Sequence, residues 1–274
     1  MSHRVLVLTA HPDDAEFFAG GTLAKMIGAG AEVSVLIATS GDTGSFELDR
    51  ARLAEVRRME ALRAGGVLGV REVAFLDYHN GELDQLAPGR LRGQFMRAIR
   101  ERKPDAVFTF DPFAPFEGHP DHRAVAFAAL EAANFSSFPL HYPEQLADGL
   151  ETHLVAEKYF FGKYPMHANK AVDISDTIEK KVAALLEHES QVAFLFQAWM
   201  QQAALAGVDV DNIPPGGAAE GERPAQGMAW IVREQARADG AAVGLEFAEQ
   251  FRYVRFSKMI ETVLEARRSM TNDK

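Results

Sequence analysis

Short apolar runs alternate with amphipathic segments throughout the first half of the chain. Each run is shorter than a helix and is bounded by turn residues, so each one predicts a buried strand. The segments between them, such as residues 17–27, space their apolar residues as on one face of a helix. This alternation predicts a parallel sheet with right-handed crossovers, sandwiched by helices. The fold class is therefore expected to be α/β and Rossmann-like, with its first four strands at residues 5–8, 32–39, 73–76 and 106–110.

The second half of the chain is less regular. We expect one domain over residues 1–274, in which a Rossmann-like core (1–135) is followed by an irregular C-terminal elaboration (136–274). Residues 212–227 combine Pro and Gly with polar residues, which predicts a mobile loop near the mouth of a site, with disorder away from the site as the alternative. The elements predicted in the elaboration are strands at 157–161, 170–174 and 247–256 and a helix from Ile178 past His188.

Composition narrows the chemistry that the chain can support. Of its 274 residues 47% are hydrophobic, which is enough for a sizeable core. It contains no cysteine, so any metal must be bound by His, Asp or Glu. The formal net charge of -10 argues against nucleic acid or an anionic membrane as the main partner. The sequence shows no signal-peptide pattern and no apolar run of membrane-spanning length, so the expected location is the cytoplasm.

Metal-type ligands occupy the turn after the first predicted strand. The segment Ala10-His11-Pro12-Asp13-Asp14-Ala15-Glu16 places a histidine and two aspartates between that strand and the first helix. In an open parallel sheet this turn lies at the carboxyl end of the strand, where ligand sites collect. Helix capping by one aspartate is the alternative, but it explains neither His11 nor Pro12.

A second cluster, His119-Pro120-Asp121-His122, has the equivalent position after the fourth predicted strand. The carboxyl ends of parallel strands lie at one edge of the sheet, so two His-Pro-Asp units can converge on one point. A lone histidine is usually a surface or hydrogen-bonded residue, whereas two equivalent units favour a shared site.

These paired motifs resemble the signature of the LmbE-like (PIG-L) zinc-dependent N-deacetylases, which include the bacillithiol- and mycothiol-type N-acetylglucosaminyl deacetylases. The resemblance extends in order to the turn at 40–44, to Arg57 and Glu60, to residues 68–70, and to His188-Glu189-Ser190-Gln191. Family members remove an acetyl or related acyl group from an amino sugar. The resemblance therefore implies a metal-dependent hydrolase acting on a small conjugate of the N-acetylglucosamine type.

Carried over residue by residue, the resemblance implies that His11, Asp14 and His122 bind one zinc ion per chain. It also implies that Asp13 is the general base and that His119 faces the developing oxyanion. Two imidazoles and a carboxylate with an open fourth position suit a catalytic zinc site, in which the metal activates water and polarises the amide carbonyl. A nearby carboxylate that is not a ligand can take the proton of the water and return it to the leaving amine.

Other residues near the motifs carry weaker expectations. Asp121 is expected to orient a ligand histidine from behind, with a helix N-cap as the alternative role. Two positions depart from the family pattern. Asn80 stands where an aspartate often contacts substrate. Glu117 stands where some members have an aromatic residue, and it is expected to add a negative charge near the mouth of the site. The residues expected to bind substrate are Arg57, Asn80, Asp42 and Thr43.

Two other functions fit parts of the pattern. A non-haem Fe(II) oxygenase also uses two histidines and one carboxylate, but its ligands usually lie on a β-barrel, which the alternation of strands and helices disfavours. A sugar-binding module without chemistry would need neither Asp13 nor His119. The expected partner is a small amino sugar, with no nucleic acid and no membrane; because similar proteins are often oligomers, a homo-oligomer is also expected.

Overall fold

A computed structural model describes residues 2–163, 167–218 and 221–272 of the chain. Within these residues strands and helices alternate through the first half, as predicted, and helices dominate the second half. In chain order the elements are β1 (Arg4–Thr9), α1 (Asp14–Gly28), β2 (Glu32–Thr39), α2 (Arg50–Leu68), β3 (Glu72–Tyr78), α3 (Arg90–Arg102), β4 (Ala106–Phe110), α4 (Pro120–Phe135), α5 (Pro143–Ala147), β5 (Glu157–Phe161), β6 (Lys170–Asp173), α6 (Ile178–Leu186), α7 (Glu189–Leu205), α8 (Arg223–Ala241), β7 (Ala248–Arg255) and α9 (Lys258–Asn272).

The strands form a seven-stranded sheet in the order β3-β2-β1-β4-β5-β7-β6. The first five strands of this order are parallel, which confirms the α/β, Rossmann-like prediction. Strand β7 runs antiparallel to both β5 and β6, so the sheet is mixed at one edge. The apolar pattern of β7 marks a strand but not its direction, which is why the sequence did not reveal this reversal.

The core lies on both faces of the central strands. Strands β1 and β4 are buried along almost their whole length, as expected for parallel strands covered by helices on each side. Phe95 and Met96 of α3 pack against one face and are fully buried. Strands β1 and β4 pair directly in parallel, so their carboxyl ends lie next to each other, and both predicted motifs follow those ends.

Two predictions for the second half need correction. The helix predicted from Ile178 past His188 is two helices, because the chain breaks at His188 and the first turn of α7 is held by Glu60, which accepts hydrogen bonds from the amide and hydroxyl of Ser190. The loop predicted over 212–227 is shorter, because α8 begins at Arg223 and packs its buried Gly227 against Phe196. Residues 219 and 220 of that loop lie outside the described residues.

Helix α9 follows the last strand and exposes several apolar side chains, including Met259 and Val263. Among the described residues, no helix combines the length and the apolar character that crossing a membrane requires.

Candidate metal centre

The turn after β1 is built around the carboxylate of Asp14. Its Oδ2 accepts hydrogen bonds from the backbone N–H groups of Ala10 (3.0 Å) and His11 (2.7 Å), which closes the turn at the start of α1. Asp13 has a φ of 126°, a backbone conformation that non-glycine residues rarely adopt. Such strain is found where the surroundings hold a side chain in a required place. Here the Asp13 carboxylate is buried and lies 3.2 Å from Nη2 of Arg57.

The turn after β4 presents the second motif at the start of α4. His119 is the N-cap, and its Nδ1 accepts a hydrogen bond from the backbone N–H of Asp121 (3.2 Å). Pro120 stands in the first turn of the helix, where its missing N–H costs nothing. Asp121 and His122 are both buried, facing the first motif.

The two turns bring three ligand-type side chains together. Nδ1 of His11 lies 3.2 Å from Nε2 of His122. The Asp14 carboxylate lies 3.5 Å from each of these nitrogens, through Oδ2 to His11 and Oδ1 to His122. In a tetrahedral zinc site with bonds of about 2.0–2.1 Å, the ligand atoms lie about 3.3 Å apart. The spacing of the three side chains therefore fits a single ion of that size.

His119 is a competitor of Asp14 for the third ligand position. Ligand atoms of His11, His119 and His122 all lie within 4.8 Å of one another. However, Nδ1 of His119 is engaged in capping α4, and its side chain is 32% exposed, whereas the Asp14 carboxylate is buried against both imidazoles. The closer contacts favour Asp14 as the ligand, and His119 lines the cleft beside it.

Side chains behind His11 hold its imidazole. Nε2 of His11 contacts Oδ2 of Asp121 (3.2 Å) and Oδ1 of Asn80 (3.0 Å). Asp121 is fixed in turn by the backbone N–H groups of Gly81 (2.6 Å) and Leu83 (3.1 Å). The sequence left open whether Asp121 caps the helix or orients a histidine; His119 takes the cap, and Asp121 contacts His11.

Glu117 does not occupy the position that the sequence suggested. Its side chain is only 6% exposed, and Oε2 lies 3.1 Å from Nδ1 of His122. The expectation of a negative charge at the mouth of the site is therefore wrong. Burial opposes ionisation of Glu117, but His122, the amide of His119 and Lys163 outweigh burial and lower its pKa to about 2.

The protein's own charges prepare the centre for a cation. Burial raises the pKa of Asp14, but the two histidines outweigh burial and lower it well below its usual range. Burial lowers the pKa of His11, while Asp14 and Asp121 more than offset burial and raise the pKa to about 9. Protons bound to the histidines therefore supply positive charge at the centre when no metal ion does. Because a ligating imidazole must be neutral, an ion and these protons compete for the site.

Asp13 differs from its neighbour Asp14 in the direction of its pKa shift. Burial raises the pKa of Asp13, and the guanidinium of Arg57 only partly opposes this. A carboxylate with a raised pKa is a better proton acceptor, as general-base catalysis requires.

His119 is poised as a neutral donor. Burial and the nearby charges of His11 and His122 lower its pKa to about 4. Its Nδ1 is a hydrogen-bond acceptor in the helix cap, so the proton of the neutral ring lies on Nε2. A donor of this kind can serve an oxygen that becomes negative during the reaction.

A cleft of ≈ 770 Å³ opens in front of the centre. Its other wall comes from α7 and α8, which the sequence did not assign to the site because their apolar residues read as ordinary core. Aromatic side chains are prominent along it, with the rings of Phe17 and Trp199 6.3 Å apart. The lining residues from the second half include Phe194, Leu195, Trp199, Ile231 and Gln235.

The residues predicted to bind substrate occupy two different environments. Thr43 and Asn80 line the cleft, joined by a hydrogen bond of 2.7 Å from Nδ2 of Asn80. Asp42 is buried beside them and accepts hydrogen bonds from Arg50 and from the backbone N–H of Asn80. These contacts organise the loop, and direct contact with substrate stays a prediction for all three.

Arg57 borders the cleft but is buried and occupied. Besides Asp13, its guanidinium donates to the carbonyl oxygens of Pro12 and Gly41. The arrangement ties α2 to the turns after β1 and β2, and it leaves substrate contact by Arg57 as a prediction.

The His188-Glu189-Ser190-Gln191 segment supports the site from the second half. Nε2 of Gln191 donates to the carbonyl oxygen of Gly44 (2.8 Å), and His188 is fully buried with Nε2 3.4 Å from Oε2 of Glu16. The segment therefore joins the start of α7 to the loop after β2 and to α1.

Comparison with known proteins agrees with this geometry. Residues 6–133 match the family model described as PIG-L, GlcNAc-PI de-N-acetylase. The diacetylchitobiose deacetylase of Thermococcus kodakarensis is 36% identical over 190 residues, 69% of this chain and 70% of that protein. The 1D-myo-inositol 2-acetamido-2-deoxy-alpha-D-glucopyranoside deacetylase of Mycobacteroides abscessus is 30% identical over 230 residues, 70% of this chain and 82% of that protein.

A solved structure extends the likeness beyond the first half. The N,N'-diacetylchitobiose deacetylase of Pyrococcus horikoshii superimposes with a TM-score of 0.75 at 28% identity, covering 93% of this chain and 84% of that one. The chain therefore belongs to the PIG-L family of de-N-acetylases, enzymes that hydrolyse an amide bond.

Proposed function

We propose that the protein is a zinc-dependent deacetylase that hydrolyses the N-acetyl group of an N-acetylglucosamine-type conjugate. The observation that carries the proposal is the convergence of His11, His122 and Asp14 at ligand spacing. Asp13 is buried beside them and forms a separate ion pair with Arg57. A mere sugar-binding module would not require an additional carboxylate with a raised pKa next to a metal site.

Each residue of the centre has a role in amide hydrolysis. Zinc, when bound, supplies a water of lowered pKa and polarises the amide carbonyl. Asp13 accepts the proton of the attacking water and returns it to the leaving amine. His119 donates from Nε2 to the oxygen that becomes negative. Arg57 holds the Asp13 carboxylate in place through the 3.2 Å contact.

The choice of zinc rests on the donor set and the reaction. Two imidazoles and one carboxylate also suit Fe(II), but the α/β fold of this chain is not the β-barrel of the oxygenase alternative, and family membership points to amide hydrolysis. Metal analysis of the purified protein, followed by activity after stripping and reloading with zinc or iron, tests this choice.

The cleft supports a substrate larger than one sugar ring. Its volume of ≈ 770 Å³ lies within the range of about 300–1,000 Å³ typical of pockets that bury drug-sized ligands. The relatives carry names of substrates in which the amino sugar bears a second unit, a second sugar or an inositol. We infer that this chain also acts on a two-unit conjugate.

An acetate-release assay tests the whole proposal. Zinc-loaded protein is incubated with N-acetylglucosamine, diacetylchitobiose and an N-acetylglucosaminyl inositol, and acetate and primary amine are both measured. We expect the two products in equal amounts, with faster turnover of the two-unit compounds. Binding of a conjugate without release of either product would favour the sugar-binding alternative.

The remaining expectations belong to the same proposal. We propose that the enzyme acts in the cytoplasm on a small molecule, since its net charge of -10 disfavours nucleic acid and anionic membranes. That the chain forms a single domain stays a prediction, which limited proteolysis of the purified protein can test. That it forms a homo-oligomer also stays a prediction, which light scattering can test.

A further inference from the structure

A buried carboxylate outside the predicted ligand set contacts the metal centre from behind. Glu117 lies in the loop between β4 and α4, and its side chain is 6% exposed. Oε1 accepts a hydrogen bond from the backbone N–H of His119 (3.0 Å) and lies 3.3 Å from Nζ of Lys163. Oε2 lies 3.1 Å from Nδ1 of His122. The carboxylate is thus held on one oxygen and directed at His122 with the other.

The contact between Glu117 and His122 is the only polar contact that either atom makes within the described residues. Both Oε2 of Glu117 and Nδ1 of His122 are fully buried and form no aligned hydrogen bond with any other described residue. The two atoms are within hydrogen-bond distance, but they are not aligned as in a hydrogen bond. Burying both groups unpaired would cost roughly 1–3 kcal/mol each, so the pair is expected to close into a hydrogen bond.

The geometry of His122 determines which nitrogen must carry the proton. Its Nε2 faces Nδ1 of His11 and the carboxylate of Asp14, so Nε2 is the nitrogen available to an ion. A ligating imidazole is neutral and binds through its lone pair, which places the proton on Nδ1, opposite Glu117. A carboxylate that accepts from this N–H fixes the tautomer and the orientation of the ring.

We propose that Glu117 is a positioning residue for the metal ligand His122, as Asp121 is for His11. The proposal rests on the proposed metal site but not on the identity of the substrate. Lys163 and the amide of His119 hold Glu117 so that its free oxygen stays behind the ring. Each of the two ligand histidines is then oriented by its own buried carboxylate.

Zinc affinity without substrate is the direct test. Glu117→Ala and Glu117→Gln are compared with wild type by competition against a chromophoric chelator. We expect the alanine variant to bind zinc about 10–100-fold more weakly, as is usual when such an outer partner is removed. The glutamine variant keeps a neutral acceptor of the same shape, so its zinc affinity should lie between those of wild type and the alanine variant. Should Glu117→Ala fail to fold, an affinity loss of threefold or more in Glu117→Gln carries the test.

Glu60→Gln is the matched control. Glu60 is also a buried glutamate, 2% exposed, but its partners are the amide and hydroxyl of Ser190. The same loss of a buried charge there should leave zinc affinity unchanged. Equal losses in Glu60→Gln and Glu117→Gln would overturn the proposal, as would wild-type affinity in the folded Glu117 variants.

Nitrogen NMR of histidine-labelled, zinc-loaded protein provides a second readout. We expect His122 to carry its proton on Nδ1 and to bind zinc through Nε2. A zinc-bound Nδ1 in wild type would overturn the proposal. Neither measurement involves turnover, so a protein that binds zinc as expected but releases no acetate would contradict the proposed function and leave the role of Glu117 standing.

Discussion

At the scale of single residues, Asp13 and Asp14 show how neighbouring carboxylates acquire different environments. Both are buried in the same turn, but Asp14 faces two imidazoles while Asp13 faces Arg57. The imidazoles lower the pKa of Asp14, whereas burial raises that of Asp13. The sequence alone could not separate the two by chemistry; the strained backbone at Asp13 points the adjacent side chains in different directions.

The first prediction separates proton transfer from metal binding. Asp13→Asn keeps the size of the side chain but removes the base. We expect near-normal zinc content and a kcat lowered by about a hundredfold or more, the usual contribution of a positioned acid–base group. Zinc content by atomic absorption and turnover on a verified substrate are measured on one preparation. Loss of the zinc would instead make Asp13 a ligand and contradict the assignment.

The second prediction decides between Asp14 and His119 as the third ligand. Asp14→Ala and His122→Ala should lose most of the bound zinc, since each removes a side chain of the closely spaced set. His119→Ala should retain zinc and lose about 2.7–4 kcal/mol of transition-state stabilisation, as when one oxyanion donor is removed. Zinc titration and kcat are compared across the three variants. Full zinc binding in Asp14→Ala with loss in His119→Ala would reverse the choice.

At the scale of elements, the sequence predicted those features that local pattern encodes. Strands β2, β4 and β5 begin and end where the apolar runs placed them, because turn residues bound each run. The direction of β7 and the break between α6 and α7 depend on distant partners, such as Glu60 holding Ser190. In the same way, the two His-Pro-Asp turns were visible as motifs, whereas the contact of Glu117 with His122 required the folded loop.

The third prediction concerns the loops after β2 and β3, which Asp42 holds together. Its carboxylate accepts hydrogen bonds from Arg50, from the backbone N–H of Asn80 (2.9 Å) and from His79 (2.8 Å). Burial raises the pKa of Asp42, but these hydrogen bonds outweigh burial and lower it from 3.8 to about 2. A carboxyl whose pKa is lower in the folded state stabilises the fold above its ordinary pKa. This stabilisation is therefore complete at pH 6 and is lost as the pH falls from about 4 towards 2.

Asp42→Asn tests this dependence. At pH 6 we expect the variant to have a free energy of unfolding lower by roughly 1–2 kcal/mol. At pH 3 the difference from wild type should be smaller, because the wild-type carboxyl is then losing its advantage. Urea unfolding of both proteins at the two pH values provides the comparison. A difference that does not shrink on acidification would show that Asp42 stabilises the loops by packing and not by its charge.

At the scale of the whole molecule, the cleft depends on both halves of the chain. The Rossmann-like half supplies the proposed metal ligands and Asp13, and α7 and α8 supply the opposite wall. The halves are joined beside the centre by Gln191, which donates to Gly44, and by Glu60, which holds Ser190. A substrate that enters this cleft therefore contacts a surface to which the second half contributes. We therefore expect α7 and α8 to influence which conjugate fits the cleft.

The last prediction tests whether α7 contributes to substrate choice, and it uses the two tryptophans of the chain. Trp199 of α7 lines the cleft and meets the ring of Phe17, whereas Trp230 lies on α8 and serves as the matched control. The apolar face of a sugar ring packs well on an aromatic side chain, so Trp199→Ala should raise KM for diacetylchitobiose several-fold. KM for N-acetylglucosamine and zinc content should change little, because the centre itself is intact. Trp230→Ala should leave both KM values near wild type. An equal rise of both KM values in Trp199→Ala would contradict this prediction, as would the same rise in Trp230→Ala. Either result would indicate that Trp199 supports the fold and does not select the substrate.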